Sequence, residues 1–249
     1  MASILDRYGI KEVADVTFYT IDETTGGPLA PVLYLDSLKV STIEQTAETV
    51  YAQGGKGNPR LIGWDFGKEI TLSLEDALFS PKSMAIMFGD GKVYDATSIK
   101  KTITFVCKKD DEENVIAPKW SDAKGNEHTV DLDAATITDA NGSKATNLEA
   151  GVKYFATFDV AIDGQRIEIG PNTFPETYYI TGDTYARSEV DGTDDYFQFI
   201  VYKGKVTSEN TITMEAEGDP SVFNMNVDVL RATIDGKQKM MELIKYDLT

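Results

Sequence analysis

The sequence predicts a mainly β protein with one short helix. Two observations carry this expectation. Apolar residues alternate with polar ones over long stretches, and 12 Tyr, 11 Phe and many Val, Ile and Thr fill those stretches while Gly, Asn and Asp punctuate them. At 249 residues with 41% hydrophobic content, the chain can bury a core and has the length of one large all-β domain, so a single domain over 1–249 is expected.

In chain order, strands are expected at 13–21, 32–52, 60–76, 99–107, 152–162, 165–169, 177–187, 196–206, 210–217, 222–230 and 238–246. The helix is expected over 80–88: Ser80 suits the N-cap, Pro81 the first helical position, Met84, Ala85 and Phe88 recur on one face, and Gly89 can close it. Such a helix plugs the open end of a sheet core. Between Cys107 and Gly151 the composition turns to Lys108-Lys-Asp-Asp-Glu-Glu-Asn, Ser121-Asp-Ala-Lys-Gly-Asn and Asp139-Ala-Asn-Gly-Ser. That is turn chemistry, and 108–150 is read as a solvent-exposed excursion with short strands at 115–120 and 129–132.

Charge restricts function. With 24 Lys+Arg against 41 Asp+Glu, the formal net charge is −17, a surface that repels phosphate backbones and anionic membranes. That charge argues against ordinary nucleic-acid binding, in which Lys and Arg neutralise phosphates. One cysteine, Cys107, excludes an internal disulfide, and one histidine, His128, excludes the common His-rich metal sites. Cofactors are expected to be none. The first residues show no basic region followed by an apolar run, and no later run approaches eighteen apolar residues, so no membrane association and a reducing cytoplasm are expected.

The strongest pattern lies in 60–76. Ile62, Trp64, Phe66, Ile70, Leu72 and Leu74 occupy even positions; Gly63, Asp65, Gly67, Glu69, Thr71, Ser73 and Glu75 occupy odd ones, with Arg60 and Lys68 as exceptions on the even side. A straight strand of this length spans ~50 Å, several times the usual size, so it must bend or cover something large. The preceding run 40–52 sets Thr42, Glu44, Thr46 and Glu48 against Ile43, Ala47 and Tyr51, and Gln53-Gly-Gly-Lys-Gly-Asn-Pro59 supplies the turn. The C-terminal part repeats the design, with Thr213, Glu215 and Glu217, the turn Gly218-Asp219-Pro220, then Asn224, Asn226 and Asp228 alternating with Phe223, Met225 and Val227. Gly57-Asn58-Pro59 and Gly218-Asp219-Pro220 occupy equivalent places.

Residues 45–51, 57–80, the helix 80–88, and Phe197-Gln-Phe through Gly218-Asp-Pro-Ser-Val-Phe-Asn-Met-Asn resemble the major tail tube proteins of tailed bacteriophages. The likeness covers 38–90 and 174–230 and leaves out 108–150. It implies a β-sandwich or barrel with a flanking helix, and subunits that form six-membered rings stacking into a hollow tube. Two hairpins per subunit would join a continuous inner barrel. It further implies a non-enzymatic virion protein, made in the host bacterial cytoplasm and housed in the virion tail. Its partners would be other copies of itself, a tape-measure protein, tail-end and baseplate proteins, a sheath where the tail is contractile, and DNA as transiting cargo.

On this reading Glu44, Glu48, Asp65, Glu69, Glu215, Glu217 and Asp228 face the lumen. Carboxylates there repel and hydrate DNA, whereas Lys and Arg would hold it. Solubility alone also favours exposed acids. Two rivals differ in class: a β-sandwich binding or adhesion module on a cell or virion surface, and a carboxylate-dependent carbohydrate enzyme.

Other motifs are read as structural. Asp110-Asp-Glu-Glu and Asp191-Gly-Thr-Asp-Asp195 lack calcium-loop spacing, and Asp139-Ala-Asn-Gly-Ser places Gly at the fourth position rather than the sixth. Cys107 continues the apolar face of Ile103 and Phe105 as a small core residue, and His128 is a surface histidine. Avoidance of directly opposed like charges predicts Glu48 opposite Gly63, Thr46 opposite Asp65, Glu44 opposite Gly67 and Thr42 opposite Glu69, with Gln53 to Asn58 as the turn. In the second hairpin it predicts Glu215 opposite Asn224 and Thr213 opposite Asn226. A bulge would shift the first register by one residue.

Overall fold

The computed structural model describes residues 7–207, 210, 212, 214 and 222–247. In chain order its elements are β1 (Tyr8–Ile10), β2 (Asp15–Ile21), β3 (Pro28–Leu35), β4 (Leu38–Gln53), β5 (Arg60–Asp76), α1 (Pro81–Phe88), β6 (Tyr94–Val106), β7 (Lys119–Ser121), β8 (Glu127–Thr129), β9 (Thr136–Thr138), β10 (Lys153–Arg166), β11 (Thr177–Ser188), β12 (Asp194–Val206), β13 (Phe223–Val229), β14 (Ala232–Ile234), β15 (Lys237–Lys239) and β16 (Met241–Tyr246). The fold is mainly β, as the alternation predicts. Two compact units divide the chain, one built from Met1–Val93 with Ile167–Thr249 and the other from Tyr94–Arg166.

The larger unit is a nine-stranded antiparallel sheet in the order β3-β2-β11-β12-β13-β5-β4, with β1 added on β11 and β16 on β12. Alternate residues of its strands, among them Val16, Phe18, Leu33, Leu35, Leu72, Leu74, Ile180, Val201, Met225 and Val227, form one buried cluster. Because β3 and β4 end the strand order yet share this cluster, the sheet coils back upon itself around a single core. Close packing fixes one glycine within it: a Cβ on Gly182 would lie 2.1 Å from the Phe199 ring, which occupies the space above it.

The expected strand 32–52 is broken at Asp36-Ser37. There the Ser37 hydroxyl donates to the buried Asp76 carboxylate at 2.5 Å, and the Leu78 N–H donates to the same oxygen at 3.1 Å. Asp76 thereby ties the start of β4 to the end of β5. Helix α1 begins as its sequence predicts. The Ser83 N–H donates to Ser80 Oγ at 3.0 Å and the Ser80 N–H donates to Ser83 Oγ at 2.8 Å, with Pro81 in the first turn. Its core face is Ala85, Ile86 and Met87; Met84 and Phe88 are only half-buried. Gly89 closes the helix by donating to the Ala85 carbonyl at 2.9 Å in an extended conformation, and the left-handed turn falls at Gly91.

The smaller unit begins fourteen residues before the expected excursion, because β6 and β10 pair with each other over most of their length and carry the unit's own core. That core is Cys107, Val130, Ile137, Tyr154, Ala156 and Phe158, which bears out Cys107 as a small core residue. The strands expected at 152–162 and 165–169 are a single strand, β10, with an irregularity between Ala161 and Gly164 and an end at Arg166. The short strands fall at 119–121, 127–129 and 136–138 rather than 115–120 and 129–132.

Three turns in this unit share one design. Asp110, Asp122 and Asp139 each accept on Oδ1 from backbone N–H groups two and four residues on, at 2.8–3.0 Å, while their own N–H donates to the carbonyl four residues on. The fourth residue of each, Glu113, Gly125 and Gly142, has positive φ. His128 lies at the surface, stacked on Trp120 with ring centres 4.5 Å apart and its Nε2 3.2 Å from Asp122. Lys101 covers the Trp120 ring at 4.0 Å.

Candidate assembly surface

The base of the β4–β5 hairpin is a three-stranded segment of the sheet, because β13 pairs with Thr71–Asp76 of β5 while β4 pairs on the other side. Its inner face carries Leu72 and Leu74 into the core and Ile70 against it, while Ile43 on the same side is exposed. The outer face is polar in rows across the strands. Glu44 lies opposite Thr71, Thr71 opposite Asp228, and Asp228 opposite Lys205; Thr42, Ser73 and Asn226 form the next row, and Glu75 with Asn224 the third. An open groove of about 680 Å³ runs along these rows, lined by Thr71, Ser73, Lys205, Thr207, Asn226 and Asp228.

Beyond the base, the hairpin continues as a two-stranded ribbon. Among the described residues, Arg60–Ile70 of β5 pair with β4 alone. A bulge divides the ribbon. Thr46 opposes Glu69 and Glu48 opposes Phe66, so Gly67 and Lys68 together span the interval that Ala47 spans alone. Gly67 has φ +62° and open space where a Cβ would stand, so its absent side chain is required by the backbone and not by crowding. Gly63 is different: its missing Cβ accommodates the Tyr51 ring opposite it, with a Cβ contact of 3.1 Å.

The expected register is corrected by the later turn, an irregularity at Ala52–Gln53 and the bulge at Gly67 together. Glu44 lies opposite Thr71, not Gly67; Thr46 opposite Glu69, not Asp65; Thr42 opposite Ser73, not Glu69; and Gly63 opposite Tyr51, not Glu48. The avoidance of opposed like charges holds nonetheless, since Thr46 faces Glu69 and Thr49 donates to Asp65 at 2.7 Å. The turn is as long as the expected Gln53–Asn58 but lies one residue later, at Gly54–Pro59: Gly55, Gly57 and Asn58 take positive φ there, and Pro59 has no N–H to offer the ladder. Pro59 instead accepts from the Gly54 N–H at 3.3 Å, while the Asn58 amide donates to Gln53 at 3.1 Å.

A one-residue bulge also exchanges the faces of β5. Glu44, Glu48, Glu69 and Asp228 share one side of the sheet, and Asp65 lies on the other with Thr49, Tyr51 and Gly63. Val50, Ile62, Trp64 and Phe66 therefore sit on the side of the acids, where they are 53%, 56%, 54% and 49% exposed. The even positions of 60–76 therefore do not form one continuous apolar face. Lys68, an exception in the even series next to Gly67, is the signal that marks the reversal. Glu215 and Glu217 and the turn Gly218, Asp219 and Pro220 lie outside the described residues, but the expected pairing of Thr213 with Asn226 is corrected: Asn226 lies opposite Ser73 on one side and accepts from the Thr207 N–H at 2.8 Å on the other.

No group of three or more His, Cys, Asp or Glu among the described residues is arranged to hold a metal, and no helix among them is long and apolar enough to cross a membrane. Comparison with curated proteins returns no match. A family model described as the YomU/Tube protein family matches residues 8–243, from the start of β1 into β16. With a coiled antiparallel sheet, one capped helix and a ribbon that leaves its own core, the chain belongs to this family of phage tail tube proteins.

Proposed function

We propose that the chain is the ring-forming subunit of the tube. Family membership makes it a structural component of the virion tail that self-assembles into a tube. In our reading six copies close a ring, rings stack, and both long hairpins of each copy join a shared inner barrel. The ribbon of β4 and β5 carries this reading, since among the described residues its two outer edges are unpaired and another copy can supply the missing strands. The two units form a single subunit, with 108–150 decorating its exterior.

Glu44, Glu48, Glu69 and Asp228 supply the lumen face, and Glu215 and Glu217 join them by strand alternation. Asp65 leaves that set because the bulge turns it to the opposite side. DNA passes an acidic wall without the phosphate contacts that would hold it. A tape-measure protein fills the lumen beforehand, tail-end and baseplate proteins cap the tube, and the role is structural, not enzymatic. Electron microscopy of the purified protein at high concentration tests this reading. Stacked rings or tubes are expected; stable monomers would favour a β-sandwich adhesion module.

A further inference from the structure

We propose that the outer face of β2, β3, β11, β12 and β16 docks an arginine-bearing segment of another protein, seated on the Asp15 and Asp183 carboxylates and on a shelf of tyrosine rings beside them. The proposal does not depend on the tube reading. β2, β3 and β11 lie toward the other end of the strand order from β4 and β5, whose acids are assigned to the lumen. On these strands Val16, Phe18, Ile180 and Phe199 point into the core, so the residues that alternate with them form the outer face. Register sets that face in rows: Asp15 lies opposite Asp183, which lies opposite Gln198, and in the next row Tyr185 lies opposite Tyr196, which lies opposite Tyr246.

Two carboxylates directly across adjacent strands repel each other, and this pair is left without a cation. Neighbouring acids are answered. Arg187 donates to both oxygens of Asp194 at 2.6 Å, and Lys239 and Lys245 each lie 2.7 Å from their partners, Glu242 and Asp195. Among the described residues, no Lys, Arg or His forms an ion pair with Asp15 or Asp183. Neutral donors hold them instead: the Tyr34 hydroxyl donates to Asp15 at 3.3 Å, and the Gln198 amide and the Tyr246 hydroxyl donate to Asp183 at 2.8 and 3.4 Å. Both negative charges therefore persist, and the Asp15 charge, reinforced by burial and by Asp36 and Asp183, pushes the Tyr34 hydroxyl above its ordinary pKa. The rings of Tyr185 and Tyr196 stand 5.5 Å apart, and Tyr246 stacks on Tyr196 at 5.3 Å. Tyr34 and Tyr185 remain more than half exposed. Fixed carboxylates beside aromatic faces suit a guanidinium, which pairs with the former, stacks on the latter and sheds water more readily than an ammonium. Charge also says whose guanidinium it is: a second copy would bring a net −17 and the same acids to this face, so the complementary surface belongs to a different, basic protein.

Fluorescein-labelled octa-arginine is the probe, titrated with the whole chain at physiological ionic strength, at a concentration too low for assembly, and followed by anisotropy. Asp15→Asn with Asp183→Asn should weaken binding at least tenfold and raise the melting temperature by about 1–4 °C, because it removes a repulsion. Asp111→Asn with Glu112→Gln removes the same charge from exposed positions of the smaller unit and should weaken binding less than twofold. Tyr185→Ala should weaken it about two- to fivefold, and octa-lysine should bind at least threefold more weakly than octa-arginine. Equal losses in the two double variants would reduce the contact to net charge and overturn the proposal, as would equal affinity for the two peptides. A lower melting temperature in Asp15→Asn with Asp183→Asn at unchanged peptide affinity would also overturn it, by assigning the pair to folding alone. Loss of self-association in place of peptide binding would overturn it too and give the face to a second copy.

Discussion

Replacing Gly67 by Ala tests the bulge as the element that sets the ribbon's faces. An L-residue held at φ +62° costs about 1–2 kcal/mol, while the methyl group lowers the entropy of the unfolded chain by an equivalent of about 0.5–1 kcal/mol. No steric contribution enters, since nothing lies within 4 Å of the added Cβ. The net cost is about 0.5–1 kcal/mol, and it falls on a two-stranded segment outside the core. Local opening should therefore change more than global melting. Amide exchange across Glu48–Phe66 should accelerate about two- to fivefold, with a melting temperature within about 4 °C of the parent. Gly67→Asn should cost less than Gly67→Ala because Asn tolerates the left-handed region. Unchanged or slower exchange in Gly67→Ala, or a larger effect from Asn than from Ala, would refute the assignment of a left-handed bulge at this residue.

Gly182→Ala should destabilise the fold by about 2–3 kcal/mol in urea unfolding, because its Cβ collides with the buried Phe199 ring, whereas Gly9→Ala, with open space around it, should be near neutral. Glu113→Gly should stabilise the chain by about 0.5 kcal/mol, since Glu113 holds the positive φ that Gly125 and Gly142 hold in the sister turns and loses only an exposed ion pair with Lys109; a lower melting temperature would contradict this. Burial pushes the Tyr178 hydroxyl up to about 12. Its neutral form is retained in the folded chain while the unfolded chain ionises near 10, so stability is intact below pH 10 and declines by up to about 1.4 kcal/mol per pH unit between 10 and 12. Tyr178→Phe should flatten that decline in melts recorded from pH 9 to 12.

Much of this architecture was legible in residues whose chemistry is local. The bounds 60–76 match β5, the Ser80-Pro81 start of α1 forms its expected cap, and Cys107 is buried where its alternation placed it. Contacts that depend on distant partners were not. The helix face is set by what packs on it, so Ile86 and Met87 join Ala85 at the buried centre, Phe88 packs only at the core's margin and Met84 is half-buried. Register failed for a physical reason: avoidance of like charges allows several alignments, and only the bulge at Gly67 with the Pro59 terminus of the turn selects one. The same bulge separated Asp65 from Glu44 and Glu69, although their spacing along the chain is regular. Lys68 held the information, and alternation read without geometry treats it as an exception.

The Asp76 anchor and the pairing of β13 confine the monomer's cooperative structure to one half of β5, and this has a genetic consequence. A subunit altered in the distal half still folds, resists proteolysis and accumulates as the parent does, because nothing it needs for folding has been touched. It retains every other surface by which copies recognise each other. If copies close rings as proposed, then in a cell producing both versions the altered copy would enter a nascent ring and leave one joint unable to close. On the proposed ring, lesions between Glu48 and Phe66 are expected to be dominant, poisoning mixed assemblies in proportion to the number of places per ring, whereas lesions at Phe18, Leu72 or Val201, which are buried in the core, are expected to remove the subunit before it can meet a partner and to be recessive.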